Sequence, residues 1–242
     1  VIRMYDMFNG CSSLVYLDLS NFNTTNVRNI DNLFKNCLKL ETLILSNFDG
    51  SNMAYMNSAF RGCSSLVKLD LSSFKTPKVR ETEYMFYGCS ELISLDLSSF
   101  NTSNVLKMKY MFGGCSKLKN LDLINFNTQN VTDMSGVFIR CSSLTTLDLS
   151  NFNTSNVKDM NNMFTDCSSL TSLNLSNFDT SNVILMFQMF YNCFNLTVLD
   201  ISSFIISKVE RMDNMFYNCL SLSLLDLSSF KTSSVSNLDN MF

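Results

Sequence analysis

The chain has 242 residues, 18 Lys plus Arg against 21 Asp plus Glu, and no His. A net charge of −3 leaves no electrostatic footprint for nucleic acid and no strong attraction to a membrane surface. The lack of His removes the commonest general base and the commonest metal ligand.

No run of 18 apolar residues occurs, so the sequence predicts no membrane span. Val1 aligns with Val27, and Met241-Phe242 with Met215-Phe216. The expectation is a single solenoid domain over residues 1–242, cut in mid-repeat at both ends, with any signal or anchor lying outside it.

Cys11, Cys37, Cys63, Cys89, Cys115, Cys141, Cys167, Cys193 and Cys219 stand 26 residues apart without insertion or deletion. Two phenylalanine columns, Phe8 to Phe242 and Phe22 to Phe230, keep the same step. A fixed period in this range marks a stacked-repeat architecture. The nine cysteines are odd in number and share one place in an apolar pattern. They read as buried thiols acting as small hydrophobes. Stacked disulfides between neighbouring coils are the alternative, so the redox compartment stays open.

Within the repeat Cys141–Cys167, Leu144, Leu147 and Leu149 spell L-x-x-L-x-L, a short strand with Leu147 and Leu149 facing inward and Asp148 outward. One such strand per coil predicts nine parallel strands, centred on Leu17 through Leu225. Phe152 plugs the core where the strand ends. Asn153-Thr154-Ser155-Asn156 is turn chemistry, with Asn156 as the expected helix cap. From Val157 to Cys167 the apolar residues fall at i, i+3, i+6, i+7 and i+10, which predicts a helix of about three turns. Gly10, Gly62, Gly88 and Gly114 precede cysteine and read as glycines ending that helix. Helices are wider than strands, so the predicted fold is an α/β leucine-rich-repeat solenoid: a curved horseshoe of about nine repeats, parallel strands concave, short helices convex.

The pattern MFxxCxxLxxLDLSxFxTSxV resembles the leucine-rich repeats of BspA-like and mycoplasma lipoprotein-like surface proteins, over the whole chain. The resemblance implies a β/α horseshoe exposed at a cell surface or secreted, binding host or matrix proteins in adhesion. The usual leucine-rich repeat has Asn where Phe22 and Phe152 stand, so the asparagine ladder is expected to be missing.

Four features could carry function. The first is an acid column, Asp18, Asp70, Asp96, Asp122, Asp148, Asp200 and Asp226, interrupted by Ile44 and Asn174. It reads either as a stripe for cations or basic ligands, or as carboxylates bonded to neighbouring Ser, Thr or backbone amides. Calcium is the ion such a stripe would take, although no D-x-D-x-D loop spells a dedicated cage. The second is an apolar substitution of solvent positions in the eighth repeat, at Ile184, Leu185, Phe187, Phe194, Val198, Ile205 and Ile206, with Leu220 and Leu224 one coil later. Exposed apolar clusters mark interfaces, and drift near one end is the alternative. The third is a basic set, Lys107, Lys109, Lys117 and Lys119, with Lys75, Lys78 and Arg80 one coil earlier, which could meet heparin-like polymers or be a solvated face. The fourth is the column Thr24, Thr76, Thr102, Thr128, Thr154, Thr180 and Thr232, whose regularity resembles ice-binding ladders.

No C-x-x-C pair, phosphate loop or G-x-S-x-G elbow is present. No catalytic residue, cofactor or metal site is therefore assigned. The leading expectation is a non-catalytic protein-binding module, using either the eighth repeat or strand residues such as Tyr16, Lys68, Lys119 and the Asp column. The alternative is a structural spacer or self-assembling scaffold.

Overall fold

The structure, a computed structural model, describes residues 1–242. Its coils stack with a strict 26-residue register. Six short strands are β1 (Tyr16–Asp18), β2 (Thr42–Ile44), β3 (Lys68–Leu69), β4 (Ser94–Leu95), β5 (Ser172–Asn174) and β6 (Val198–Asp200). They form three parallel pairs, β1–β2, β3–β4 and β5–β6, in which Leu17 faces Leu43, Leu69 faces Leu95 and Leu173 faces Leu199. The expectation of nine strands is corrected: Leu121, Leu147 and Leu225 occupy the same place in their coils but lie outside any strand.

The unbroken ladder runs elsewhere. Parallel bridges link Arg3, Asn29, Tyr55, Glu81, Lys107, Asp133, Asp159, Leu185, Arg211 and Asn237, each to the next.

The larger correction concerns the expected helix. The only helical turn in the chain is a 3-10 turn at Thr232–Ser234. Over Val157–Cys167 the backbone donors alternate between two destinations. Met160, Asn162, Phe164 and Asp166 donate to Leu185, Phe187, Met189 and Tyr191 of the following coil at 2.8–3.0 Å. Met163, Thr165 and Cys167 donate three residues back, to Met160, Asn162 and Phe164. The segment is thus a chain of tight turns hydrogen-bonded to its neighbour. Two residues per coil hold left-handed backbone, Asn162 (φ 57°) and Asp166 (φ 59°) in this one. Asn and Asp tolerate that region better than other residues with a side chain. The column of Asp166 includes Gly10, Gly62, Gly88 and Gly114, also at positive φ; these glycines form turns and end no helix.

A wide helix opposite a narrow strand was the physical reason for a concave strand face. Without helices that reason is gone, because backbone hydrogen bonds tie coil to coil on the turn face as well.

The core follows the columns read from the sequence. In one coil Val157, Met160, Met163, Phe164, Cys167, Leu170, Leu173, Leu175 and Phe178 are all 0–2% exposed. The rings Phe8, Phe34, Phe60, Phe86, Phe112, Phe138, Phe164, Phe190, Phe216 and Phe242 form one continuous stack with centroids 5.5–5.9 Å apart.

Polar side chains stitch the coils together. Thr128 Oγ1 donates to the Asn153 carbonyl at 2.9 Å and accepts from the Asn153 N–H at 2.8 Å. Thr24, Thr76, Thr102 and Thr180 make the same paired contact with their next coils. This buried role excludes the threonine column as an ice-binding surface. One residue before the Phe column, side chains also bond carbonyls of the preceding coil, through serine hydroxyls in some coils and amides in others. Asn151 Nδ2 donates to the carbonyls of Leu123, Ile124 and Phe126, and Asn177 Nδ2 to those of Leu149, Ser150 and Phe152. Asn156, expected to cap a helix, instead donates to the Gln129 carbonyl of the preceding coil at 2.7 Å.

Candidate functional site

The acid column is built into turns. Ser150 N–H donates to Asp148 Oδ1 at 2.9 Å, and Asp18, Asp70, Asp96, Asp122, Asp200 and Asp226 each accept from the N–H two residues on. Asn174 Oδ1 accepts from Ser176 N–H in the same way, which explains how an amide replaces the acid there. The backbone N–H of the following serine, then its hydroxyl, holds Asp18, Asp96, Asp148 and Asp226 below the usual carboxylate range. The serine hydroxyl leads for Asp70 and Asp200, with the N–H second. These carboxylates close turns, and no three of the chain's acidic or thiol groups converge as metal donors.

The apolar residues of the eighth repeat separate. Ile184, Leu185 and Phe187 are half-buried on the turn face. Arg211 lies 4.4 Å over the Phe187 ring and pairs with Asp213 at 2.9 Å. Ile205 is exposed on the connection after Phe204, whereas Ile206 is 1% exposed, in the threonine column, and belongs to the core. Phe194 and Val198 are exposed on the strand face, Val198 within β6. One coil on, Leu220 and Leu224 stand beside them at the equivalent positions, also exposed.

The basic set separates as well. Lys117 pairs with Glu91 at 2.6 Å at the start of the strand face. Lys107 and Lys109 lie on the turn face, Lys107 in the bridge ladder. Lys78 and Arg80 line a groove that Arg28, not counted in that set, completes.

A cluster that the sequence reading missed sits on the turn face of the fourth and fifth coils. Tyr84 and Tyr110 stack at 5.1 Å, and Tyr87 meets both edge-on at 5.7 and 6.0 Å. Arg61 covers Tyr84 and Tyr87 at 4.9 and 5.3 Å. The signal was available: Tyr84 and Tyr110 replace the Asn, Ser or Gln of most other coils, and two glycines, Gly113 and Gly136, lie where the rings need room.

The cysteines are free thiols. Each Sγ from Cys37 to Cys219 donates to the carbonyl of the Phe 29 residues earlier, as Cys141 does to Phe112 at 3.1 Å. Burial pushes the Cys141 thiol up to about 12, which removes it as a nucleophile or metal ligand at neutral pH.

Residues 2–121, 112–223 and 166–242 match the family described as "Mycoplasma protein of unknown function, DUF285", and these overlapping matches span the chain. The chain belongs to this family. The resemblance to mycoplasma-type leucine-rich surface repeats thus holds at family level, while the family's description assigns no activity. No curated protein matches the sequence. Among solved structures, a leucine-rich repeat protein of T. pallidum is similar at 19% identity over 92% of this chain and 72% of its own, with a TM-score of 0.33. One from Bacteroides ovatus is similar at 20% identity over 92% and 69%, with a TM-score of 0.41. No helix in this DUF285 chain is long and apolar enough to cross a membrane.

Proposed function

We propose that the chain is a non-catalytic, protein-binding repeat module of the adhesion type, displayed at a cell surface. The observation that carries this reading is the exposed quartet Phe194, Val198, Leu220 and Leu224, at 37%, 61%, 76% and 78%. In most other coils the equivalent positions are polar, chiefly Ser, Thr, Lys and Asn. Two adjacent coils thus present an apolar patch on the strand face, where uniform polar columns would otherwise meet solvent. Apolar side chains gathered in this way gain from being covered. Ile205 lies outside the quartet, and Ile184, Leu185 and Phe187 form a second, half-covered group around Arg211. Surface display is carried over from the family resemblance.

The partner is a protein with its own apolar segment. Purified extracellular matrix proteins, tested singly by surface-immobilised binding with crosslink mapping, address this directly. Binding that crosslinks beside Val198 and is lost in Val198→Asp/Leu224→Asp, with melting unchanged, is the expected result. Binding that survives that substitution contradicts the patch.

The regularity of the stack supports the second reading, a spacer or self-assembling scaffold. Scattering that grows with concentration without any ligand, and is insensitive to the same substitution, would favour it.

A further inference from the structure

The turn face carries a basic groove that the protein-binding reading does not use. Arg28, Ala54 and Arg80 are consecutive in one column. Ala54 N–H donates to the Arg28 carbonyl at 2.8 Å, and Arg80 N–H to the Ala54 carbonyl at 3.0 Å. The two arginines are therefore two coils apart, about 10 Å at the usual spacing of hydrogen-bonded strands. The small Ala54 between them leaves a notch.

That notch is part of a cavity of about 310 Å3 whose wall includes Arg28, Lys78, Arg80 and Tyr55 and has no acidic residue. Arg28 and Tyr55 also line a second cavity of about 330 Å3 together with Arg3 and Tyr5, again without an acid. The two therefore meet at Arg28 and Tyr55. None of Arg3, Arg28, Lys78 or Arg80 takes part in an ion pair. Lys78 Nζ is held by Asn52 Oδ1 at 2.6 Å, which fixes its head at the groove wall. The nearest acid along the bridge ladder, Glu81, accepts from Asn57 Nδ2 at 2.7 Å.

Unpaired guanidinium groups are suited to oxyanions, which they can grip through two parallel N–H bonds. With two of them about 10 Å apart, the groove fits two anionic groups separated along a chain better than one small ion. Between them lies the exposed Tyr55 ring, and one coil beyond Arg80, at the groove edge, stands Asn104, whose Nδ2 donates to the Pro77 carbonyl at 2.9 Å and leaves its Oδ1 for a hydroxyl. We propose that this groove binds a sulfated oligosaccharide: sulfates on Arg28 and Arg80, with Lys78 assisting, and a neutral sugar ring over Ala54 against Tyr55. A nucleic acid, with charge at every unit and bases that need a series of stacking platforms, fits it less well. Glu81 is the ladder neighbour of Tyr55, and Tyr55 is the single ring inside the first cavity. This proposal does not rest on the protein-binding reading, since it uses other residues on another face.

The test is isothermal titration of the whole chain with a size-defined heparin hexasaccharide, the same hexasaccharide desulfated, inorganic sulfate, and a six-base single-stranded oligonucleotide. The sulfated sugar is expected to bind, more weakly as salt rises, and the other three to bind at least about tenfold more weakly. Arg28→Ala/Arg80→Ala should lose at least about tenfold in affinity. Ala54→Glu, which keeps both arginines but fills the notch with an acid, should lose a similar factor. Lys117→Ala/Lys119→Ala, which removes as much charge elsewhere, should bind like the parent. Far-UV spectra and melting curves report whether each variant is folded. No binding by the parent, equal binding of the oligonucleotide, or an equal loss in the Lys117/Lys119 variant would each overturn the proposal.

Discussion

The Tyr110 ring lies on the backbone of Gly136, one coil on, so closely that a β-carbon at Gly136 would stand 2.5 Å from the ring. Gly136 also has φ +59°, but this conformation alone does not demand glycine, since Tyr110 and Asn162 hold it in the same column at φ 54° and 57°. The ring contact decides. Gly136→Ala is expected to destabilise by about 2 kcal/mol, from overpacking with some left-handed strain. Tyr110→Ala should restore most of that loss in the double variant, a coupling that chemical denaturation of the four proteins measures. Additive effects would show that the ring contact is not the cause.

Threonine 128 serves both backbone groups of Asn153. Thr128→Val keeps the shape and removes the hydroxyl, leaving the part-buried N–H and carbonyl of Asn153 without that partner. The expected loss is about 1–3 kcal/mol, read by denaturant titration, and Thr128→Ser should recover most of it. A Val variant as stable as the parent would show that water replaces the hydroxyl.

Much of this architecture could be read from the residue order. The 26-residue step, the inward Leu, Phe, Met and Cys, and the outward Asp of the strand segment all stand where the periodicity puts them, because burial is decided by side-chain chemistry. What could not be read was where the backbone donors go. Val157, Met160, Met163, Phe164 and Cys167 fall on one face of a helix, but they equally fall inside a coil whose alternate amides point at the next coil. Periodicity of burial does not separate these cases. The left-handed columns do: Asn32, Asn162 and Asn214, then Asn36, Asp166 and Asn192, four residues apart, are residue types that interrupt a helix twice per coil. Surface groupings were the least legible. Ile206 looked exposed because it replaces the polar threonine of most other coils, yet that column is buried from Thr24 to Ile206. Arg28, Lys78 and Arg80 meet only because residues 50 and 52 apart in sequence are near neighbours in the stack.

Two sets of carboxylates oppose each other in acid. Asp18, Asp70, Asp96, Asp148, Asp200 and Asp226 are held below the usual range by the turn serines, so their contribution is present above the unfolded pKa and lost as pH falls through the folded one. Asp159 is the reverse case. Burial raises it against the Asn161 N–H, with Asp133 adding to the rise. Its contribution is full below the unfolded pKa and lost as pH rises through the folded one. Asp159→Asn keeps the Oδ1 acceptor for Asn161, as Asn29 does for Asp31 in the same column. The variant should melt higher than the parent at about pH 7, with the gap closing toward about pH 3.5. A gap that is constant with pH would remove the assignment.

Thiol labelling separates the cysteines. Cys11 is exposed, and Cys37 to Cys193 are buried. Burial raises the thiols of Cys37 and Cys219 to about 11. A thiolate-directed reagent near neutral pH should modify Cys11 promptly in the native chain and all nine cysteines only in denaturant. Uniform rapid labelling of the native protein would contradict the buried column.

The turn face forms a ladder between coils, and the rest of the fold depends on it. Far-UV circular dichroism of the folded chain tests this directly. Eleven residues of each 26-residue coil were candidates for helix, Val157 to Cys167 in the repeat described above. The ladder predicts a spectrum without the paired helical minima, in a protein that still melts cooperatively. A helical signal corresponding to about two-fifths of the residues, well above the usual share of about one-third, would contradict it.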